Sequence, residues 1–455
     1  MASISDENGS RSVVICLLES ISSDDLNIRR AATTLIVTYC VHSKPANISS
    51  YRSQLWRGLV FMLSSEDEFI LNQSIEALHA LTKTMDSKEQ IEMVAEISNA
   101  LRYTISDYVA HLGQQSSEQH SKDNVILPGF TTNKGILPMM NIFKEALLNP
   151  NMDVKEYGAT GYRDIIKHAS PEALKPSVMG ITGPLLRIVA DRISNSIKAT
   201  ISDILSIMIF KAGAQLKPFY PQIQVFFMRS LGDANRNVRL QAAVSLSRFA
   251  TVHAKIDLFF GELLTLLKNT PHNELCMRET SYYALRLAIS SAGQRASKEI
   301  HHQIIEIVSG EKESTIDSYR VTAASCLGAL CAAMDDKDLS TIVHLHLMSD
   351  NQKELWTIRH FRSIVMRIAL KDSFNRLMSE QYEWGEQLYS VTLSFITSTN
   401  VPIIVSGIKT AAYIIDHCLE NKVLPMQPLV AAYARVSERA FVTAFFVILF
   451  LSFRE

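Results

Sequence analysis

Apolar residues along this chain recur at helical spacing, and one seven-residue pattern returns about every forty residues. It consists of an apolar position, a basic residue, a small residue four places on and a bulky apolar residue seven places on. The clearest copies are Val238-Arg239 with Ala243 and Leu246, Ile197-Lys198 with Ser202 and Leu205, and Tyr319-Arg320 with Ala324 and Leu327. Looser copies begin at Met277-Arg278, which carries Tyr282 where a small residue is expected, at Ile358-Arg359 and at Val154-Lys155. The basic positions 155, 198, 239, 278, 320 and 359 lie 43, 41, 39, 42 and 39 residues apart. Residues at these offsets share one helical face, so the apolar and small side chains can pack between neighbouring copies.

A forty-residue unit holds two antiparallel helices and two short turns, the period of HEAT or armadillo repeats. The pattern therefore predicts an all-α protein, an α-solenoid of HEAT/armadillo-like helix pairs forming a superhelix. At 455 residues the chain is longer than one compact core usually supports. A solenoid removes that difficulty, because each repeat buries surface only against its neighbours.

Punctuation divides the chain. Residues 1–10 are expected to be a disordered start and 11–112 HEAT-like repeats, with Ile28-Arg29, Ala32 and Leu35 opening a second helix. The polar stretch 113–135, which contains Pro128-Gly129, reads as an irregular exposed loop. Repeats resume over 136–437, with prolines expected at helix starts and turns. The segment 438–455 is an atypical apolar tail. Its FVTAFFVILFLSF run (441–453) is shorter than the roughly twenty residues that span a bilayer, which favours a core helix lacking its partner over a membrane anchor.

Charge changes the picture locally. The net charge is −1, which argues against wrapping nucleic acid along the whole length. Yet residues 155–239 contain twelve Lys/Arg and six Asp/Glu, a local +6. The six cysteines show no C-x-x-C spacing, and the start lacks the apolar core of a secretory signal, so a reduced, cytoplasmic protein is expected. No catalytic constellation, nucleotide-binding motif or helical metal pair is visible, so the chain is read as non-enzymatic, without cofactor, metal or small-molecule substrate. His301-His302, His344, His346 and His360 are taken as surface or turn residues, and Cys326 and Cys331 as small fillers of the repeat. In the stretch 180–192, Pro184 is expected in the first turn of a helix that carries Arg187. Arg187 itself fits a surface arginine, an intramolecular ladder residue or a binding group.

The strings GPLLR (183–187), LKPFYPQIQ (216–224) and LGDANRNVRLQAA (231–243), with LPGF (127–130) and IIVSGIK (403–409), resemble a specific family. It is the ribosome-associated HEAT-repeat activator of the general amino-acid control kinase, which phosphorylates initiation factor two alpha. The likeness runs from about Arg11 to Ser437 and identifies the chain as a C-terminal fragment of a much longer scaffold. The resemblance implies binding of the kinase's RWD domain, with the basic residue of the GPL-x-R element, here Arg187, in the interface. It also implies ribosome or polysome partners through the longer scaffold and a role in amino-acid starvation. Arg192, Lys198 and Lys217 are added as partner-binding candidates from charge and proximity.

Two other functions fit a helical-repeat chain. A generic HEAT adaptor for transport, phosphatase or cytoskeletal partners needs no special motif. Direct binding of ribosomal RNA by the basic stretch is disfavoured, because aromatic residues are not interleaved with the basic ones.

Overall fold

The computed structural model describes residues 7–115, 125–189, 193–271, 274–348, 353–379 and 384–418. Among them every regular element is helical. The chain forms two compact units, residues 1–230 and 231–455.

The first unit begins with α1 (Glu7–Ser20), α2 (Leu26–His42), the short α3 (Pro45–Ser49), α4 (Arg52–Met62), α5 (Glu68–Lys83) and the long α6 (Ser87–Gln115). It continues with α7 (Asn133–Leu148), α8 (Met152–His168), the one-turn α9 (Pro171–Leu174), α10 (Val178–Ile188), α11 (Asn195–Leu216) and α12 (Tyr220–Ser230). Successive long helices alternate between two rows. In one row α1, α4, α6, α8 and α11 lie side by side; in the other, α2, α5, α7 and α10 do. The second unit holds α13 (Arg236–Val252), α14 (Ile256–Asn269), α15 (Leu275–Ala292), α16 (Lys298–Ser309), α17 (Asp317–Ala333) and α18 (Asp336–Ile342). A π turn (Val343–Leu347), α19 (Trp356–Leu377), α20 (Trp384–Ile396) and α21 (Val401–Cys418) complete it. There α13, α15, α17, α19 and α21 form the tightly packed row. This is an α-solenoid, as the forty-residue period predicts.

The helices form because their apolar residues fall on one stripe. In α14, Ile256, Phe259, Phe260, Leu263, Leu264 and Leu267 are buried at steps of three and four. Each such side chain contributes about 1.5–3 kcal/mol by leaving water. Polar caps close the starts: the side chains of Asp25, Asp67, Asn151, Ser194, Asn235 and Ser297 accept from backbone N–H groups of α2, α5, α8, α11, α13 and α16.

The recurring basic residue is an internal ladder in most copies. Arg239, Arg278, Arg320 and Arg359 are buried. Arg239 Nη1 donates to the carbonyls of Asp233 and Ala234 at 2.9 and 3.0 Å, and Arg320 Nη1 to Ser314 at 2.6 Å. Arg29 repeats the device in α2, reaching Ser23 and Asp24 at 2.6 and 3.1 Å. In each case the fourth residue of a helix ties down the turn that precedes it. Arg278 also reaches back, Nη1 donating to the carbonyls of Leu267 and Thr270 at 3.1 and 3.2 Å, and in addition pairs with buried Glu311 at 2.7 Å, while Tyr282 Oη donates to the same carboxylate at 3.1 Å. That bond explains the large residue at a position where the pattern calls for a small one.

A second ladder closes helix C-termini from one repeat ahead. Lys211 Nζ donates to the carbonyls of Lys167 and Ala169, both at 2.6 Å, at the end of α8. Arg295 reaches Ala250 and Thr251 at the end of α13, at 3.1 and 2.7 Å. Arg376 reaches Met334 beyond the end of α17 at 2.7 Å.

Several expectations are corrected. The stretch 113–135 is not simply an exposed loop: α6 runs to Gln115, and Leu127, Gly129 and Phe130 are buried. Gly129 N–H donates to Leu63 O at 2.8 Å, Leu127 N–H to His168 O at 3.0 Å, and Ser170 N–H to Phe130 O at 3.0 Å. The LPGF segment is thus a backbone clasp between the ends of α4 and α8. A Cβ on Gly129 would sit 2.7 Å from the Leu63 side chain, and one on Gly135 would sit 1.8 Å from Gly129 O, so both positions exclude side chains. Pro138 and Pro184 lie inside α7 and α10, not at starts or turns. In α2 the buried pair is Thr33 and Ile36, four and seven residues after Arg29, while Ile28 and Leu35 are exposed. The helical start at Glu7 shortens the expected disordered start. His301 and His360 are buried, His301 Nε2 lying 2.9 Å from Gly293 O. The apolar tail lies outside the described residues.

Candidate partner-binding site

The GPLLR element is the second half of α10. Its entry is fixed by Asn133 at the start of α7, whose Nδ2 donates to Ala173 O at 2.8 Å and to Ser177 Oγ at 2.9 Å. Val178, Ile181, Thr182, Leu185 and Ile188 form the buried face, and Thr182 Oγ1 returns its proton to Val178 O at 2.8 Å. The opposite face carries Met179, 54% exposed, with Gly180 and Arg187 also exposed. Pro184 has no N–H, so the carbonyl four residues earlier, that of Gly180, has no helical donor. A Cβ added at Gly180 or Gly183 would meet no atom within 4 Å. These glycines are therefore not required by packing within the unit; they leave a low, backbone-lined surface beside Met179 and Arg187.

Arg187 occupies the last turn of α10, where the helix dipole favours a cation. Among the described residues no hydrogen bond or ion pair holds its guanidinium, so the ladder reading does not apply to it. Lys198 is the fourth residue of α11 and is half-buried. Since α10 packs on α11 and the two are joined by the 189–194 connection, Arg187 and Lys198 lie at the same end of a helical hairpin. Arg192 lies outside the described residues. Lys217 is exposed at the far end of α11. Fourteen residues at 1.5 Å each place the kink at Ala212 about 21 Å along the helix from Lys198, and Lys217 lies beyond that kink. The structure therefore groups Arg187 with Lys198 and separates Lys217 from them.

The local excess of positive charge is likewise not one patch. Arg239 and Lys211 are occupied by backbone carbonyls. Burial, reinforced by the charge of Lys167, pulls the Lys211 ammonium down to about 8. Asp164 accepts from Arg163 at 2.8 Å, and Arg102 of α6 lies 3.7 Å from its other oxygen.

The cysteines offer no reactive centre in the repeat core: Cys326 and Cys331 are buried, and burial pushes both thiols up to about 12. Among the described residues no group of three or more His, Cys, Asp or Glu is placed to hold a metal ion, and no helix is long and apolar enough to cross a membrane.

Comparison with known proteins supplies the context for this surface. The solved structure of a Kap121p mutant superposes with a TM-score of 0.50 at 11% identity, covering 98% of this chain and 50% of that one, a likeness of fold alone. The human stalled ribosome sensor GCN1 is 32% identical over 420 residues, which is 92% of this chain and 15% of that protein. The eIF-2-alpha kinase activator GCN1 of Saccharomyces cerevisiae is 25% identical over 342 residues, 75% of this chain and 12% of that protein. The chain thus spans about 15% or less of the length of these curated relatives. Two family models described as stalled ribosome sensor GCN1-like HEAT repeats match residues 1–134 and 257–441. The chain belongs to the GCN1-like HEAT-repeat family.

Proposed function

We propose that this chain is a scaffold segment for translational control, binding the RWD domain of the initiation factor two alpha kinase and promoting its activation on ribosomes during amino-acid starvation. The observation that carries this reading is Arg187. It is exposed within the GPLLR element and free of intramolecular bonds among the described residues, on a family background whose members are named as kinase activators and ribosome sensors. An unengaged guanidinium beside bare helix backbone suits a carboxylate on an approaching domain, which it can grip with two parallel hydrogen bonds. Lys198, at the same end of the hairpin, and Arg192 add positive charge that steers an acidic partner. Lys217 contacts that partner only if the interface extends the length of α11. The ribosome is a partner through the longer scaffold, and the site of action is the cytoplasm. The role is one of holding proteins together, with no catalytic step of its own.

A pull-down with an isolated RWD domain tests the proposal. Binding at low salt, reduced at least tenfold by Arg187→Ala and weakened as salt rises, is expected. Unaltered binding by Arg187→Ala removes the site, and absence of binding at low salt removes the partner.

A further inference from the structure

Helix α10 is built against its own stability. Two glycines and a proline stand among its eleven residues, and these are the two poorest helix formers. Packing demands the glycines of neighbouring α8: a Cβ on Gly158 would sit 2.8 Å from the Ala146 side chain, and one on Gly161 would sit 2.3 Å from the Phe143 ring. At Gly180 and Gly183 a Cβ would meet nothing within 4 Å, so a larger residue fits there and makes a better helix. A local rule broken with no return inside the fold marks a functional position. Both glycines lie on the solvent side. Met179, Gly183 and Arg187 follow one another at steps of four on one line down α10, with exposed Gly180 on one side of that line and half-buried Leu186 on the other. Eight residues at 1.5 Å separate Met179 from Arg187 by about 12 Å. Between a methionine that is 54% exposed and an exposed arginine, the helix therefore presents bare backbone. The result is a notch with one apolar wall and one cationic wall.

We propose that this notch seats one bulky apolar side chain of the kinase's RWD domain, packed on the backbone at Gly180 and Gly183 and against Met179, while a neighbouring carboxylate of that domain pairs with Arg187. The inference rests on the RWD reading above and adds to it the residues that discriminate the partner. An exposed arginine attracts any carboxylate, so charge alone steers many acidic surfaces and selects few of them. A gap of fixed size in front of it admits a partner whose apolar anchor stands beside its acid and leaves other partners with an unfilled contact. Glycine is the residue that lets another chain come this close to a helix backbone. An apolar anchor in a pocket bordered by arginine is also the usual energetic centre of a protein interface.

The test measures the affinity of an isolated RWD domain for the full chain and for its Gly180→Leu, Gly183→Leu, Met179→Ala and Arg187→Ala variants. Gly261→Leu is the matched control, because a Cβ at Gly261 in α14 likewise meets nothing within 4 Å. Each α10 leucine fills the notch and should weaken binding by about tenfold or more, with a thermal melt that is unchanged or raised. Met179→Ala should weaken binding less, and Gly261→Leu should leave it unchanged. The loss caused by the leucines should persist at high salt, whereas the loss caused by Arg187→Ala should shrink as salt rises. Binding that Arg187→Ala weakens and both α10 leucines leave unchanged overturns the notch and keeps the RWD reading. An equal loss on Gly261→Leu also overturns the notch, and no binding by the natural chain at low salt overturns both.

Discussion

Nε of Arg320 donates to Nδ1 of His360 at 3.1 Å, joining two adjacent repeats through residues forty positions apart. The guanidinium also lies 4.7 Å from the centroid of the Trp356 ring. Both His360 and Arg320 are buried, and this bond requires a neutral imidazole with its proton on Nε2.

Burial, with the Arg320 charge next, pulls the His360 imidazole down to about 4 from its ordinary 6.5. Between these values the unfolded chain binds the proton and the folded chain does not, so the contribution is complete above pH 6.5 and is lost as pH falls toward 4. His360→Asn keeps an acceptor and cannot titrate. Urea midpoints measured from pH 7 to pH 4.5 should therefore fall more steeply for the natural chain than for the variant.

Lys211 shows a pH dependence on the alkaline side. Its folded-state value of about 8 lies below the ordinary 10.5, so between those pH values the unfolded chain holds the proton and the folded chain releases it. Stability from this group rises with pH across that window. Lys211→Arg, matching Arg295 and Arg376, stays charged throughout. Melting temperatures of natural chain minus variant should increase from pH 8 to pH 10.5; a flat difference excludes the buried ammonium as the cause.

Removing one member of the Arg278–Glu311 pair leaves a buried charge. Glu311→Leu or Arg278→Met alone should cost about 3–5 kcal/mol, whereas the two together should cost less than the sum of the single changes. Denaturation of the four proteins in the cycle gives the coupling.

Gly129→Ala places a methyl group 2.7 Å from the Leu63 side chain and 3.1 Å from its Cα. The clasp must shift, at about 1–3 kcal/mol, and the hydrogen bond that Gly129 N–H donates to Leu63 O must lengthen. Faster hydrogen exchange at Gly129, Leu127 and Ser170, with the α13–α19 helices unchanged, is the expected signature.

The ladder arginines were legible because their signal is local: a basic residue at the fourth position of a helix, followed by small and bulky residues at fixed offsets, needs no tertiary information. The clasp was not. Proline, glycine and polar neighbours describe an exposed loop equally well, and what buries LPGF is backbone hydrogen bonding to Leu63, His168 and Ser170, which no side-chain pattern encodes. Lys211, Arg295 and Arg376 share a task but no common sequence context, so they read as ordinary surface charge. Of the candidate site, Arg187 was marked only by the resemblance that GPLLR carries; spacing left a ladder role open, and its exposure depends on which face of α10 packs inward. The distance to Lys217 was not legible either, since it depends on how far α11 runs before its kink at Ala212.

The C-terminal caps also decide how this protein can be cut and rejoined. The residue that closes α8, α13 or α17 is supplied by the next repeat, so the forty-residue sequence period is not a self-sufficient module. A chimera or truncation that ends after α13 without carrying Arg295 leaves the carbonyls of Ala250 and Thr251 unanswered, while one that ends after residue 295 keeps them closed. Exchangeable blocks in this family are therefore offset from the visible repeat by the reach of one basic side chain.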